Sequence, residues 1–134
     1  MKLNKKDLEL IELATSVVKN NSNIYDKPNS HVACALRVKS DKLYIGMNLK
    51  TSHSVCAEQV AIGNAFANGE RDFKTIVAVQ LCNDGVARVV SPCGLCRYIF
   101  TKLNLNFQII VPDGKKLTKV KVKDLLPFPY VKQE

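Results

Sequence analysis

The chain has 134 residues, of which 46% are hydrophobic and 24% charged, and its formal net charge is +8. This length and balance are typical of one folded domain and exclude a disordered chain, and no apolar run approaches the roughly 20 residues of a membrane-spanning helix. The N-terminal residues lack the apolar stretch of a secretion signal, so we expect a cytoplasmic protein.

The first half of the chain predicts a helix, a hairpin and a second helix. Apolar residues recur at helical spacing over about residues 5–20. Residues 31–38 and 43–49 suit strands, and the short polar connection between them favours an antiparallel hairpin. A second helix is predicted over residues 56–68, because Asn68-Gly69 forms a good C-terminal stop.

The second half alternates strands with helices. Residues 75–81 form a nearly continuous apolar run, which is typical of a strand buried on both faces. A helix is predicted over about residues 94–103, a strand over 107–111 and a short helix over 122–126. This alternation favours parallel pairing with right-handed crossovers. We therefore expect one domain over residues 1–134, an α/β fold with a mixed five-stranded sheet in a three-layer α/β/α arrangement.

The positive charge is scattered, with one local concentration of lysines near the C-terminus. No aromatic residues interleave with these lysines, as a stacking platform for single strands would require. We interpret the stretch as a solvated face and do not expect nucleic acid or a membrane as a partner. The lysines are Lys115, Lys116, Lys119, Lys121 and Lys123.

Cysteine spacing indicates a metal site. An odd count of five, without a secretion signal, argues against a disulfide framework. Cys93 and Cys96 have metal-ligand spacing, and Cys56 offers a third thiolate at the start of another predicted helix, where the helix dipole favours the anion. Three protein ligands leave the fourth position of Zn²⁺ open, as catalysis requires. Cys34 and Cys82 lie among apolar strand residues and are interpreted as core.

Glu58 lies two residues after Cys56. Bound Zn²⁺ lowers the pKa of its water to about 7 in favourable sites, and a neighbouring carboxylate can pass the proton to a departing amine. Cys93 and Cys96 alone also fit a redox pair or a structural zinc knuckle. Neither alternative requires Cys56-Ala57-Glu58, so the two motifs together favour one catalytic Zn²⁺ per chain.

The two motifs, Cys56-Ala57-Glu58 and Pro92-Cys93-Gly94-Leu95-Cys96, resemble those of the cytidine deaminase superfamily. The resemblance extends over nearly the whole length, from the first helix and hairpin to Leu125-Leu126-Pro127. Cysteine rather than histidine as the first ligand resembles the free-nucleoside branch. Within that branch the chain looks most like the blasticidin S deaminases, which are small homotetramers acting on a cytosine nucleoside antibiotic.

The resemblance implies a cytidine-deaminase-like fold and hydrolytic removal of the amino group from the cytosine ring of a free nucleoside or analogue. Cys56, Cys93 and Cys96 would bind zinc, and Glu58 would move protons. A homotetramer or dimer is implied by the resemblance alone.

The resemblance also implies substrate contacts. Backbone groups of Ala57 and Ser91 would contact the amino edge of the base, and Asn48 would contact a sugar hydroxyl. Tyr44 matches an aromatic near the hairpin, and His31 falls near a ring-packing position.

Some positions depart from the family pattern. Cytidine deaminases place Glu where this chain has Lys50, and many relatives have Arg where it has Gln59, although Arg97 does match. Leu95, inside the Cys-x-x-Cys motif, is also not a basic residue that could offset the thiolate charge. An ordinary ribose contact is therefore not expected, and Lys50 suits a carboxylate-bearing or otherwise modified sugar.

The alternative from another class is a non-catalytic zinc-containing or nucleic-acid-binding protein of the same fold. It predicts salt-sensitive binding to oligonucleotides and no effect of Glu58→Gln. His53 is interpreted as a solvated loop residue. Phe128 and Tyr130 are interpreted as packing residues. The alternative is that they close a pocket, which could belong to a neighbouring subunit.

Overall fold

The computed structural model describes residues 1–22, 31–103 and 106–134. Within them the chain forms four helices and six strands, and none of these helices has the length and apolar character needed to cross a membrane. In chain order the elements are α1 Lys5–Asn21, β1 Val32–Val38, β2 Leu43–Met47, α2 Ala57–Ala67, β3 Phe73–Leu81, β4 Ala87–Val90, α3 Gly94–Lys102, β5 Gln108–Asp113, β6 Lys116–Lys121 and α4 Val122–Leu125.

The sheet has the order β2-β1-β3-β5-β6, and β4 pairs with β3 beside this path. The predicted hairpin is confirmed, because β1 and β2 pair antiparallel from Ala33 opposite Met47 to Arg37 opposite Leu43. The predicted parallel pairing is confirmed for β3 and β5. The mixed α/β class is therefore as expected.

The sheet has six strands where five were expected, and neither β4 nor β6 was among the four strand segments located in the sequence. Strand β4 pairs with the second half of β3. With only four residues, β4 is too short to give a periodic signal in the sequence. Strand β6 lies in the lysine-rich stretch and pairs antiparallel with β5. Its many charged residues do not resemble a buried strand, so the sequence did not indicate this pairing.

Interpreting the whole lysine stretch as a solvated face is also wrong at one position. The side chain of Lys119 is 10% exposed, and its Nζ lies 2.8 Å from Oδ2 of Asp7, which is 5% exposed. Asp7 also accepts a hydrogen bond from the backbone N–H of Asn4 in the capping box of α1. This carboxylate therefore helps to cap the N-terminus of α1 and also joins the helix to β6.

Helices cover both faces of the sheet and form the expected three layers. Alternate residues of β1 point to opposite faces. Ala33 and Ala35 pack with Leu10 and Val18 of α1 on one face. The residues of β1 that point to the other face pack with α2 and α3. Cys34 is among these and is fully buried, as expected, whereas Cys82 is half-buried.

Gly46 lets α2 lie directly on β2. A Cβ atom at this position would lie 2.5 Å from the backbone nitrogen of Ala61 and 2.8 Å from the carbonyl oxygen of Ala57. Neither backbone atom can move without shifting the helix. Because α2 begins beside Cys56 and carries Glu58 in its first turn, this contact fixes how close these two residues lie to the sheet.

Replacing Gly46 by Ala is expected to lower the free energy of unfolding by about 1–3 kcal/mol, because overpacking forces backbone shifts. Urea denaturation measures the change. Gly63→Ala is the matched control in α2, since a Cβ atom there meets nothing within 4 Å. This control should stabilise the protein by roughly 0.5–1 kcal/mol, because alanine favours helix. Equal stability of the Gly46 variant and the wild type would contradict the close contact.

Candidate functional site

Three cysteines from two separate motifs meet at one point. The Sγ atoms of Cys56, Cys93 and Cys96 all lie within 4.8 Å of one another, and those of Cys56 and Cys93 are 3.6 Å apart. Two sulfurs bound to one tetrahedral Zn²⁺ at about 2.3 Å lie about 3.8 Å apart. Three thiols at this spacing fit Zn²⁺ with one coordination position left for another ligand.

Helix starts position the three sulfurs. Cys56 is the N-cap of α2 and Cys93 the N-cap of α3, and neither side chain caps its helix through a hydrogen bond. Cys96 lies in the first turn of α3 and is fully buried. The positive ends of both helix dipoles therefore face the cluster, which stabilises thiolate anions.

Arg97 holds the loop that carries Cys93. Its Nε donates to the carbonyl oxygen of Pro92 at 2.9 Å, and its guanidinium also donates to the carbonyl oxygen of Leu125 at 3.2 Å. Gln59 contacts the cluster from α2, because its Nε2 donates to Sγ of Cys96 at 3.8 Å. A neutral amide thus lies beside this sulfur.

The local environment opposes three free thiolates. Burial raises the pKa of the Cys96 thiol far above its usual value, and the nearby Glu58 and Cys56 raise it further. Burial also raises the pKa of Cys56. Partial burial opposes ionisation of Cys93, but hydrogen bonds that include one from the backbone N–H of Cys96 outweigh it and lower the pKa of Cys93. A bound divalent cation supplies the compensating charge for three thiolates, so this donor set fits a metal ion.

A cavity of about 240 Å³ opens beside the cysteines. Glu58 lies in its wall and is 6% exposed. Burial raises the pKa of this carboxyl group, although a hydrogen bond from its own backbone N–H lowers it. The lining residues are Val32, Asn48, Lys50, Ser54, Val55, Cys56, Ala57, Glu58, Val90, Ser91 and Cys93.

Asn48 is fixed against the first strand. Its backbone N–H donates to the carbonyl oxygen of Val32 at 3.1 Å, and its Oδ1 accepts from the backbone N–H of Val32 at 2.9 Å. This pair of hydrogen bonds continues the β1–β2 pairing by one residue. The amide group is thereby oriented at the cavity wall.

The structure brings together most of the predicted site residues in this one cavity. Asn48, Lys50, Ala57, Glu58 and Ser91 line it together with Cys56 and Cys93.

Two predicted contact residues lie outside the lining. The hydroxyl of Tyr44 donates to Oε2 of Glu70 at 2.9 Å, beyond the C-terminal end of α2. His31 precedes β1, and its carbonyl oxygen accepts from the backbone N–H of Leu81. The cavity reaches Val32 instead.

Several lining residues had not been singled out from the sequence. Val32 is the first residue of β1, and Val90 is the last residue of β4 and precedes Ser91. Ser54 and Val55 precede Cys56 directly. For Val90, Ser54 and Val55, proximity in sequence to Ser91 and Cys56 is the signal that would have indicated them. Val32 directly follows the predicted contact residue His31.

The aromatic residues near the C-terminus do not pack on their own chain. Phe128 is 101% exposed and Tyr130 is 70% exposed, so interpreting them as packing residues is wrong within one chain. Phe128 borders a second cavity of about 650 Å³, between the end of α3, α4 and the C-terminal segment. That cavity contains none of the three clustered cysteines. His53, in contrast, is exposed as expected.

Residues 4–110 match the family described as the cytidine and deoxycytidylate deaminase zinc-binding region. The chain is 34% identical to a Bacillus cereus protein named blasticidin-S deaminase, over 97% of this chain and 96% of that one. It is 28% identical to a Dictyostelium discoideum protein named probable cytidine deaminase, over 89% of this chain and 82% of that one.

Solved structures show the same fold. The cytidine deaminase from Mycobacterium tuberculosis superposes with a TM-score of 0.74 at 20% identity, over 96% of this chain and 99% of that one. The cytidine deaminase from Burkholderia pseudomallei superposes with a TM-score of 0.72 at 24% identity, over 96% of this chain and all of that one.

Proposed function

This chain belongs to the cytidine and deoxycytidylate deaminase family and is a zinc-dependent hydrolytic deaminase. We propose that its substrate is a free nucleoside or nucleoside analogue and that the reaction takes place on the cytosine ring. The reaction replaces the amino group on the ring carbon by oxygen and releases ammonia. One observation carries this proposal: the buried carboxyl group of Glu58 lines the same small cavity as Cys56 and Cys93, two of three thiols clustered at metal-binding distance.

The proposed zinc ligands are Cys56, Cys93 and Cys96. When bound, Zn²⁺ supplies the acidity that makes water a nucleophile near neutral pH. The three thiolates would hold the ion at the starts of two helices, and Arg97 keeps the Cys93 loop in place through Pro92.

Glu58 is the proposed proton carrier. It accepts a proton from water, donates it to the ring nitrogen beside the reacting carbon, and carries a further proton to the departing amine. Its burial favours this role, since a raised carboxyl pKa lies closer to the pH at which a proton must be both accepted and released.

The other lining residues orient the substrate. We propose that backbone groups of Ala57 and Ser91 contact the amino edge of the base, and that Asn48 contacts the sugar. Ala57 is fully buried, so the base would lie against a buried part of the cavity wall. Tyr44 and His31 are left out of the proposed contacts, because they lie outside the lining.

We further propose that residues 1–134 act as one catalytic domain that assembles as a homotetramer in the cytoplasm. A reducing compartment keeps thiolate ligands from forming disulfides. The exposed apolar side chains Phe128, Tyr130 and Val131 support assembly, because a neighbouring copy would remove them from water.

Ultraviolet absorbance of the zinc-loaded protein tests the substrate class. Cytidine, deoxycytidine, blasticidin S and free cytosine are offered separately, and we expect turnover of at least one nucleoside and none of free cytosine. Free cytosine has no sugar to contact Asn48. Absence of turnover with any of the four, despite one zinc per chain, would contradict the proposal.

A further inference from the structure

Two of the three clustered cysteines face the cavity. Cys56 and Cys93 both line it, and Cys96 does not. Cys93 is exposed and Cys56 is half-buried, whereas Cys96 is fully buried and its sulfur contacts Nε2 of Gln59. A thiol-reactive molecule that enters the cavity therefore reaches the sulfurs of Cys56 and Cys93 before that of Cys96.

The same two sulfurs are in position to bond to each other. They lie 3.6 Å apart, and a disulfide bond requires about 2.05 Å, so the gap to be closed is short. Cys56 and Cys93 are each the N-cap of a helix, and neither side chain makes a capping hydrogen bond. A bond between them therefore breaks no helix cap. A disulfide inside the Cys-x-x-Cys motif is the alternative, but it needs the fully buried sulfur of Cys96.

We propose that Cys56 and Cys93 form a modification site, at which a small-molecule disulfide such as glutathione disulfide joins the two sulfurs and switches the protein off. The Cys93 sulfur attacks one sulfur of the oxidant, forms a mixed disulfide and expels one glutathione thiolate. The Cys56 sulfur then attacks the Cys93 sulfur and expels the second glutathione. Two cysteine thiols are oxidised, the oxidant is reduced to two thiols, and the two protons from the cysteines pass to the departing thiolates.

The disulfide removes two of the three sulfurs that would hold the metal ion. Only the buried Cys96 thiol remains, and one thiol does not retain Zn²⁺, so oxidation and zinc release occur together. The new bond also joins the starts of α2 and α3 and constrains the unfolded chain, so the oxidised protein is expected to stay folded. The loss of activity rests on the proposed function, whereas the disulfide and the zinc release do not.

Peptide mapping by mass spectrometry identifies the bonded pair. The zinc-loaded wild type is incubated with glutathione disulfide, alkylated without reduction and digested, while a chromogenic chelator records the zinc released. We expect a linked Cys56–Cys93 peptide, one zinc released for each disulfide formed, and loss of deaminase activity in proportion to the disulfide. Dithiothreitol followed by zinc should restore both the metal content and the activity.

Two variants separate the possible pairs. Cys96→Ala keeps both cavity-lining sulfurs and should still form the Cys56–Cys93 disulfide, and Cys34→Ala, which removes a buried thiol outside the cluster, should react as the wild type does. If Cys96→Ala does not fold, the peptide map of the wild type still decides. A Cys93–Cys96 peptide in the wild type, zinc release without a disulfide, or a fully reduced and zinc-loaded protein after the incubation would overturn the inference. If the disulfide forms and zinc is released but the untreated wild type deaminates no nucleoside, the proposed function fails and the modification site stands.

Discussion

Replacing Glu58 by Gln is expected to lower kcat by about 10²- to 10⁴-fold while leaving zinc bound at one ion per chain. The amide keeps the size of the side chain but cannot accept and return a proton. Glu58 is not among the three clustered ligands, so metal affinity should change little. Absorbance assays with the preferred nucleoside measure the rate, and elemental analysis measures the zinc.

Glu12→Gln is the control for this substitution. Glu12 is an exposed residue of α1, a helix that packs on the opposite face of the sheet from α2. Its variant should keep the wild-type rate. If the Glu58 variant keeps more than about a tenth of the wild-type rate, Glu58 is not the proton carrier.

Replacing Cys96 by Ala is expected to abolish zinc binding and activity together. Cys96 is fully buried and contributes one of three sulfurs, so two ligands and a void remain. The protein loses packing worth about 1–2 kcal/mol and also the stabilisation that bound metal gives the folded state. Thermal unfolding with and without a chelator separates the two losses.

Cys34→Ala provides a close control for packing. Cys34 is also fully buried and belongs to the same core cluster, but it is not one of the clustered ligands. Its variant should lose a similar packing energy, keep zinc and remain sensitive to the chelator. The Cys96 variant should unfold at the same temperature with and without chelator. A Cys96 variant that still holds one zinc per chain would refute the assignment.

The proposed catalytic residues were largely predictable from local sequence. Cys56, Glu58, Cys93 and Cys96 stand in two short motifs, and within each motif the spacing alone brings the side chains together. The surrounding helices and the β1–β2 hairpin were predictable for the same reason, since their periodicity and stop signals are local. The family match over residues 4–110 agrees with that interpretation.

Contacts between distant segments were not predictable in this way. Strands β4 and β6 pair with the edges that β3 and β5 offer them. Strand β4 is only four residues long and β6 lies among lysines, so neither has a clear local signal. Lys119 is buried because Asp7, more than a hundred residues away, provides a carboxylate at 2.8 Å. Burial of a lysine depends on its partner and not on its neighbours in sequence.

The sequence by itself therefore determined the chemistry: three thiols and a carboxyl group at spacings that suit a zinc deaminase. The tertiary structure decided which other side chains reach that chemistry. It directs Tyr44 to Glu70 and places Lys50 and Ser54 in the cavity wall beside Cys56. The reason is physical, because ligand spacing within a helix turn is a local property, whereas the wall of a cavity is assembled from segments that meet only when the sheet forms.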